Sequence, residues 1–183
     1  AEACAEAGAE VMLVAGPVSL KTNHSSIDRI DVESAEEMYR AVLSEYDRSD
    51  IAIMCAAVAD YAPETVSDVK LKRTGEDRIL RLRPNPDIAA ELGRRKRPGQ
   101  CLVGFALETN DEEMNARLKM EKKNLDFIVL NSLRDAGAGF QCDTNKVTVI
   151  GKQGKPVEIP CKPKIAVAAD IVDIIGRYVS EDR

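Results

Sequence analysis

The chain has 183 residues and a formal net charge of −5, so it carries no basic excess suited to nucleic acid or an acidic membrane surface. Its length suits a single α/β domain with a sizeable core. Its apolar runs are too short to span a bilayer or to form the hydrophobic region of a signal peptide. The 5 cysteines (Cys4, Cys55, Cys101, Cys142 and Cys161) show no C-x-x-C spacing, and His24 is the 1 histidine, so no zinc pattern is present. They read as reduced thiols of a cytosolic, cytoplasmic protein.

Taken in chain order, "AEACAEAGAE" is a helix former from its first residue with no N-cap ahead of it, and Gly8 ends it. A helix of that kind in a parallel α/β unit implies a strand and its turn upstream. Val11–Ala15 reads as a buried strand, "GPVSLKTNHSS" as a loop and 29–32 as a short strand. Ser34 with Glu37 three residues on forms a capping box, opening a helix with Met38, Ala41, Val42 and Tyr46 on one face. "DIAIMCAAV" is the next buried strand, followed by an irregular corner over 59–69. "KLKR" and "RILRLR" read as two strands around the polar turn "TGED". "NPDIAAELGRRK" is a short helix, "CLVGFAL" a strand, 111–124 a helix and "DFIVLN" a further strand. "KVTVIGKQGKPVEI" is a hairpin turning near Gln153-Gly154, and 163–179 makes a closing helix. Continuous apolar strands separated by helices predict a mainly parallel sheet covered on both faces. The two polar hairpins are expected outside that core, as a flap and an arm.

Ligands of open parallel sheets bind beyond the carboxyl ends of the strands. Those ends carry Gly16-Pro17-Val18, then Val58-Ala59-Asp60-Tyr61, then Phe105 with Glu108-Thr109, then Asn131-Ser132. In "NPDI", Asn85 suits the N-cap and Pro86 the first helical position, leaving the amides of Asp87 and Ile88 free to meet an anion. From the tetrapeptide alone, plain capping is the favoured reading. Arg81, Arg83, Lys70 and Lys72 make the surroundings cationic, which favours phosphate. Lys119 and Lys123 stand four apart on one helix face, a spacing that a solvated charged face also gives. Phe105, taken alone, reads as core, and Cys55 and Cys101 as packing. No Ser/His/Asp or Cys/His set can be assembled, and the fingerprint G-x-G-x-x-G is absent. The residues therefore describe an anion-binding α/β domain suited to nucleotide-dependent group transfer, with the substrate open.

"GPVSL", "AAVADY", "KLKR" with Lys70 ten residues past Asp60, "NPDI", "VGFALET", "ARLKMEKKNLD", "IVLN" and "FQCDTNKVTVI" occur in this order. Together they resemble phosphopantothenoylcysteine synthetase, the ligase domain of the bacterial bifunctional coenzyme A biosynthesis protein, over nearly the whole chain. The resemblance implies a modified, Rossmann-like α/β fold acting as a homodimer in coenzyme A biosynthesis. It implies a ligase joining 4′-phosphopantothenate to L-cysteine, in which CTP activates the carboxylate as an acyl-cytidylate with release of pyrophosphate. The cysteine amine then gives the amide and CMP, with Mg2+ on the triphosphate.

Carried over by residue, Asp60 and the backbone at Ala57 meet the nucleotide base, and Lys70 lies at the phosphates as the catalytic lysine, on a flap. Asn85, Pro86, Asp87 and Ile88 form the triphosphate turn, while Phe105, Lys119 and Lys123 complete the nucleotide site. Asn131 falls near the acyl substrate. The family's first strand and its "N-R-S-S-G-K-M-G"-like loop are expected upstream of residue 1, as is a phosphopantothenoylcysteine decarboxylase domain. Asn23-His24-Ser25-Ser26 only looks like that loop, because it follows "GPVSL". An ATP-using version of the ligase, a non-catalytic nucleotide-binding subunit and a nicotinamide dehydrogenase are the competing readings; the absent fingerprint speaks against the last.

Overall fold

The longest apolar runs set the frame. In the computed structural model, which describes residues 1–73, 75, 77–108, 111–132 and 143–181, they form the centre of an α/β fold. α1 (Glu2–Glu6) leads through Gly8, at φ +92°, into β1 (Val11–Ala15). β2 (Ile27–Asp31) pairs with β1 in parallel, and α2 (Ala35–Tyr46) follows. The Ser34–Glu37 capping box that begins α2 is formed in both directions.

β3 (Ile51–Met54), β6 (Cys101–Glu108) and β7 (Phe127–Ser132) are parallel neighbours. β8 (Thr144–Gly151) and β9 (Val157–Pro163) continue the same sheet antiparallel, giving the order β3-β6-β7-β8-β9. The β8–β9 hairpin turns at Gly154, φ +84°, where the sequence places it, but it is not a free arm. Val147, Val149 and Ile159 are buried with α5 (Lys164–Glu181), because their alternation turns one face of the hairpin into the core.

The second expected hairpin does not form. Residues 70–73 are not strand and lie exposed, with Leu71 61% accessible, since no apolar layer lies against them. Instead β4 (Tyr61–Pro63) pairs antiparallel with β5 (Leu82–Pro84), as a separate two-stranded ribbon. Proline at one end of each strand removes a ladder donor and keeps the ribbon short.

The sheet has two covered faces. Leu102, Ala106, Ile128, Leu130 and Ile150 pack on α2, α3 (Ile88–Arg95) and α4 (Glu112–Lys122). Cys101, Val103, Phe127 and Val129 pack on α5. Val14 of β1 and Ala52 and Met54 of β3 lean on the same α2 core, yet among the described residues no ladder joins β1 to β3. No helix among the described residues is long and apolar enough to cross a membrane.

Candidate functional site

β3 ends at Met54 beside Gly104, while β6 and β7 run on to Glu108 and Ser132. The chain leaving β3 carries Ala57 and Asp60 on an exposed coil. That coil is tied to the start of α3: the Asn85 amide donates to Asp60 O at 2.8 Å, and Asn85 Nδ2 donates to Ala59 O at 2.9 Å. Asn85 is therefore not the helix cap. Asp87 takes that place, its carboxylate accepting from the Ala90 amide at 3.0 Å. Both residue types cap well, and the tertiary bonds of Asn85 to the 59–60 corner decide between them. Pro86 thus precedes the cap rather than opening the helix, and Ile88 buries its side chain, 4% exposed, in the core. Helix geometry leaves the amides of Ile88 and Ala89 without intrahelical acceptors, so the anion-binding capacity survives one residue later than expected.

α4 supplies the cations. Lys123 Nζ lies 3.0 Å from Asp87, and Lys119 Nζ lies 2.5 Å from Glu108. Burial alone would raise the Asp87 carboxyl; the Ala90 amide and Lys123 outweigh it and hold it below the ordinary aspartate range. α3 and α4 can approach this closely because residue 93 is glycine: a Cβ there would fall 1.9 Å from Lys123 O. Glu108, named from the sequence only as a strand-end residue, is the partner of Lys119. Its place two residues beyond Ala106, on the α4 face of β6, is the signal that could have found it.

Phe105 and Asn131 stand on the other face of the sheet, Phe105 half-buried against the α5 core. The strand ends thus carry two groups: Asp60, Asn85, Asp87, Glu108, Lys119 and Lys123 towards α3 and α4, and Phe105 with Asn131 towards α5. Lys70 joins neither; it is exposed, and among the described residues no contact ties it to them. Thr109, Phe140, Cys142 and half of the TGED turn (residues 74 and 76) lie outside the described residues. A shallow depression over Glu113, Met114, Arg117, Leu118 and Glu121 lies on the outer face of α4, away from these chemical groups.

A family model described as "DNA/pantothenate metabolism flavoprotein C-terminal domain" matches residues 1–178. The chain belongs to this family. It is 47% identical over 176 residues to the "Coenzyme A biosynthesis bifunctional protein CoaBC" of Bacillus subtilis, covering 96% of this chain and 43% of that protein. The corresponding Escherichia coli protein is 38% identical over 187 residues, with 100% and 46% covered. A "Cysteine/Cysteine sulfinic acid decarboxylase" from an unknown prokaryotic organism is 52% identical over 172 residues, with 94% and 48% covered. The chain thus spans less than half the length of these curated relatives.

Among solved structures, the C-terminal domain of CoaBC superposes with a TM-score of 0.82 at 35% identity, covering 99% of this chain and 80% of that one. A Cab2 H337A mutant in complex with phosphopantothenate-cysteine shares the fold, with a TM-score of 0.66 at 15% identity and 86% and 54% coverage. The family's mainly parallel α/β sheet is therefore the frame on which the strand-end carboxylates, amides and lysines are set.

Proposed function

We propose that this chain is the ligase domain that joins 4′-phosphopantothenate to L-cysteine, with CTP as the activating nucleotide. Family membership supports the reaction class. The observation that carries it to this chain is a pair of ion pairs near the strand ends: Asp87, the N-cap of α3, holds Lys123, and Glu108 at the end of β6 holds Lys119. Phosphoryl and nucleotidyl chemistry needs positioning and charge neutralisation more than covalent machinery, and these pairs offer both.

In this reading Lys119, Lys123 and the amides of Ile88 and Ala89 receive the triphosphate. Asp60 and the Ala57 backbone meet the base, and Phe105 flanks it. Lys70 closes over the α-phosphate from the exposed segment beyond β4. The 4′-phosphopantothenate carboxylate attacks that phosphate, pyrophosphate leaves, and the cysteine amine displaces CMP from the acyl-cytidylate. Asn131 lies on the acyl side. Mg2+ would bind chiefly through the triphosphate oxygens, because the Asp87 carboxylate is already engaged by the Ala90 amide and Lys123. Bound there, it would neutralise charge on the triphosphate.

The domain works in the cytoplasm as a homodimer in this proposal, in a longer chain carrying a decarboxylase domain upstream. This proposal puts a further parallel strand between β1 and β3, which share the α2 core without a ladder joining them among the described residues. The expected upstream strand and its glycine-containing loop would lie there.

The test uses the full-length protein with 4′-phosphopantothenate, L-cysteine and Mg2+, and measures pyrophosphate release. CTP is expected to support turnover far faster than ATP; equal or better use of ATP would sink the nucleotide assignment. Release of CO2 from cysteine without nucleotide consumption would favour instead the activity named for one relative.

A further inference from the structure

Two asparagines meet at the end of β7. Asn131 is opposed across the ladder by Val147, so Asn145 is its diagonal neighbour on the same face of the sheet. The ladder between β8 and β9 shifts register between Asn145 and Val147, so the hairpin is irregular where the two side chains meet. Asn145 Nδ2 donates to Asn131 Oδ1 at 2.9 Å, and the Lys146 amide donates to Asn145 Oδ1 at 3.0 Å.

The second bond decides the direction of the first. A carboxamide can be turned end for end with little change in shape, so its orientation must come from its partners. A backbone N–H can only donate. The Asn145 atom facing the Lys146 amide must therefore be its oxygen, which leaves the Asn145 nitrogen facing Asn131. That nitrogen needs an acceptor, so Asn131 turns its oxygen towards Asn145. Its own NH2 then remains as the end that no described residue engages.

We propose that Asn145 is a positioning residue that locks the Asn131 carboxamide so that it presents donors only. The substrate atom at this end of β7 is then a hydrogen-bond acceptor: a carbonyl, carboxylate or phosphate oxygen of the acyl substrate. A donor-only group such as an ammonium or amide N–H at the same place would lose its partner, whereas a hydroxyl would meet Asn131 only as an acceptor. The choice of substrate rests on the ligase reading; the lock itself does not.

The experiment uses full-length protein and the variants Asn145→Asp, Asn145→Ala and Asn131→Ala, with Asn145→Asp also made in the Asn131→Ala background. In Asn145→Asp the Lys146 amide is still satisfied, but the second carboxylate oxygen forces Asn131 to turn its NH2 inward. Affinity for 4′-phosphopantothenate is expected to fall at least tenfold while CTP affinity stays within twofold. Asn145→Ala leaves Asn131 free to turn and should cost only two- to threefold, an order that simple loss of packing would reverse. In the Asn131→Ala background the added Asp should do nothing more. An Ala variant as damaging as Asp, or an Asp effect that persists without Asn131, overturns the lock.

Side-chain amide hydrogen exchange reads the lock without any substrate. The Asn145 NH2 should be protected in the wild type and that of Asn131 free, with Asn131 becoming protected in Asn145→Asp. The reverse pattern overturns the proposal. Wild-type protein that keeps the expected pattern but ignores 4′-phosphopantothenate would overturn the ligase reading and leave the orientation standing.

Discussion

Lys123, the C-cap of α4, reaches Asp87 at the start of α3, 3.0 Å away across a helix contact that admits no side chain at residue 93. The carboxylate caps α3 and pairs with the lysine, so one group links helix stability to the charge of the proposed phosphate site. Replacing Asp87 with Asn keeps an oxygen for the Ala90 amide and removes only the charge. Stability in urea should then change by less than about 1 kcal/mol, whereas Asp87→Ala should cost about 1 kcal/mol through loss of the cap. Nucleotide affinity should change in both. A larger stability loss in Asn than in Ala would show that capping is not the main structural work of Asp87.

Gly93→Ala tests the helix approach. The added methyl cannot be accommodated 1.9 Å from Lys123 O, so α3 and α4 must separate. A loss of about 2 kcal/mol is expected from overpacking of this kind, read from the urea midpoint. Nucleotide binding should weaken with it, because Lys123 moves away from Asp87. Unchanged binding in a destabilised protein would mean that the pair is not part of the site.

Lys70→Gln should leave stability unaltered, because Lys70 is exposed and tied to nothing among the described residues. Turnover should fall at least tenfold with little change in nucleotide affinity, if Lys70 acts on charge that develops at the α-phosphate. Wild-type turnover in this variant would remove it from the mechanism.

Asp126 gives the fold an acid limit. Its carboxylate, 6% exposed, accepts from the Leu102 amide at 2.7 Å, from Lys96 at 2.7 Å and from Lys152 at 2.9 Å. Burial pushes its pKa up, but Lys96, the Leu102 amide and Lys152 prevail and bring it below the ordinary aspartate value. A depressed folded pKa contributes stability that is complete above the unfolded value, about 4, and is lost as pH falls through the lower folded value. Asp126→Asn should therefore flatten the pH dependence of stability below about pH 4, and should cost about 3 kcal/mol at neutral pH by stranding the largely buried Lys96. Acid unfolding that is identical in the two proteins would refute this.

The sequence made some of these features visible and hid others for physical reasons. The core strands were legible because a strand covered on both faces must be apolar throughout, as in "CLVGF" and "FIVL". The Ser34–Glu37 box and the Gly154 turn were legible because each is a local device. The cap was misplaced by two residues because the choice between Asn85 and Asp87 depends on the 59–60 corner, distant in sequence. "KLKR" alternates like a strand, yet strand formation needs a surface to cover, and none lies beneath it. Glu108 and Asn145 stood in the strand-end and motif readings without partners, because Lys119 and Asn131 lie on other elements.

β6 and β7 carry the Asp126 cluster where they begin and the chemical groups where they end, with Leu102 and Glu108 six residues apart on one strand. At about 3.3 Å per residue these are roughly 20 Å apart. Two tasks that compete in many small proteins are thus assigned to opposite poles of one sheet. Lys123 links the two: its side chain reaches Asp87, while the next residue, Asn124, accepts from Lys96 of the Asp126 cluster, so changes that harden the domain around Asp126 must keep that link. The strand-end pole can in turn be reshaped for another nucleotide or acyl group while the anchor holds.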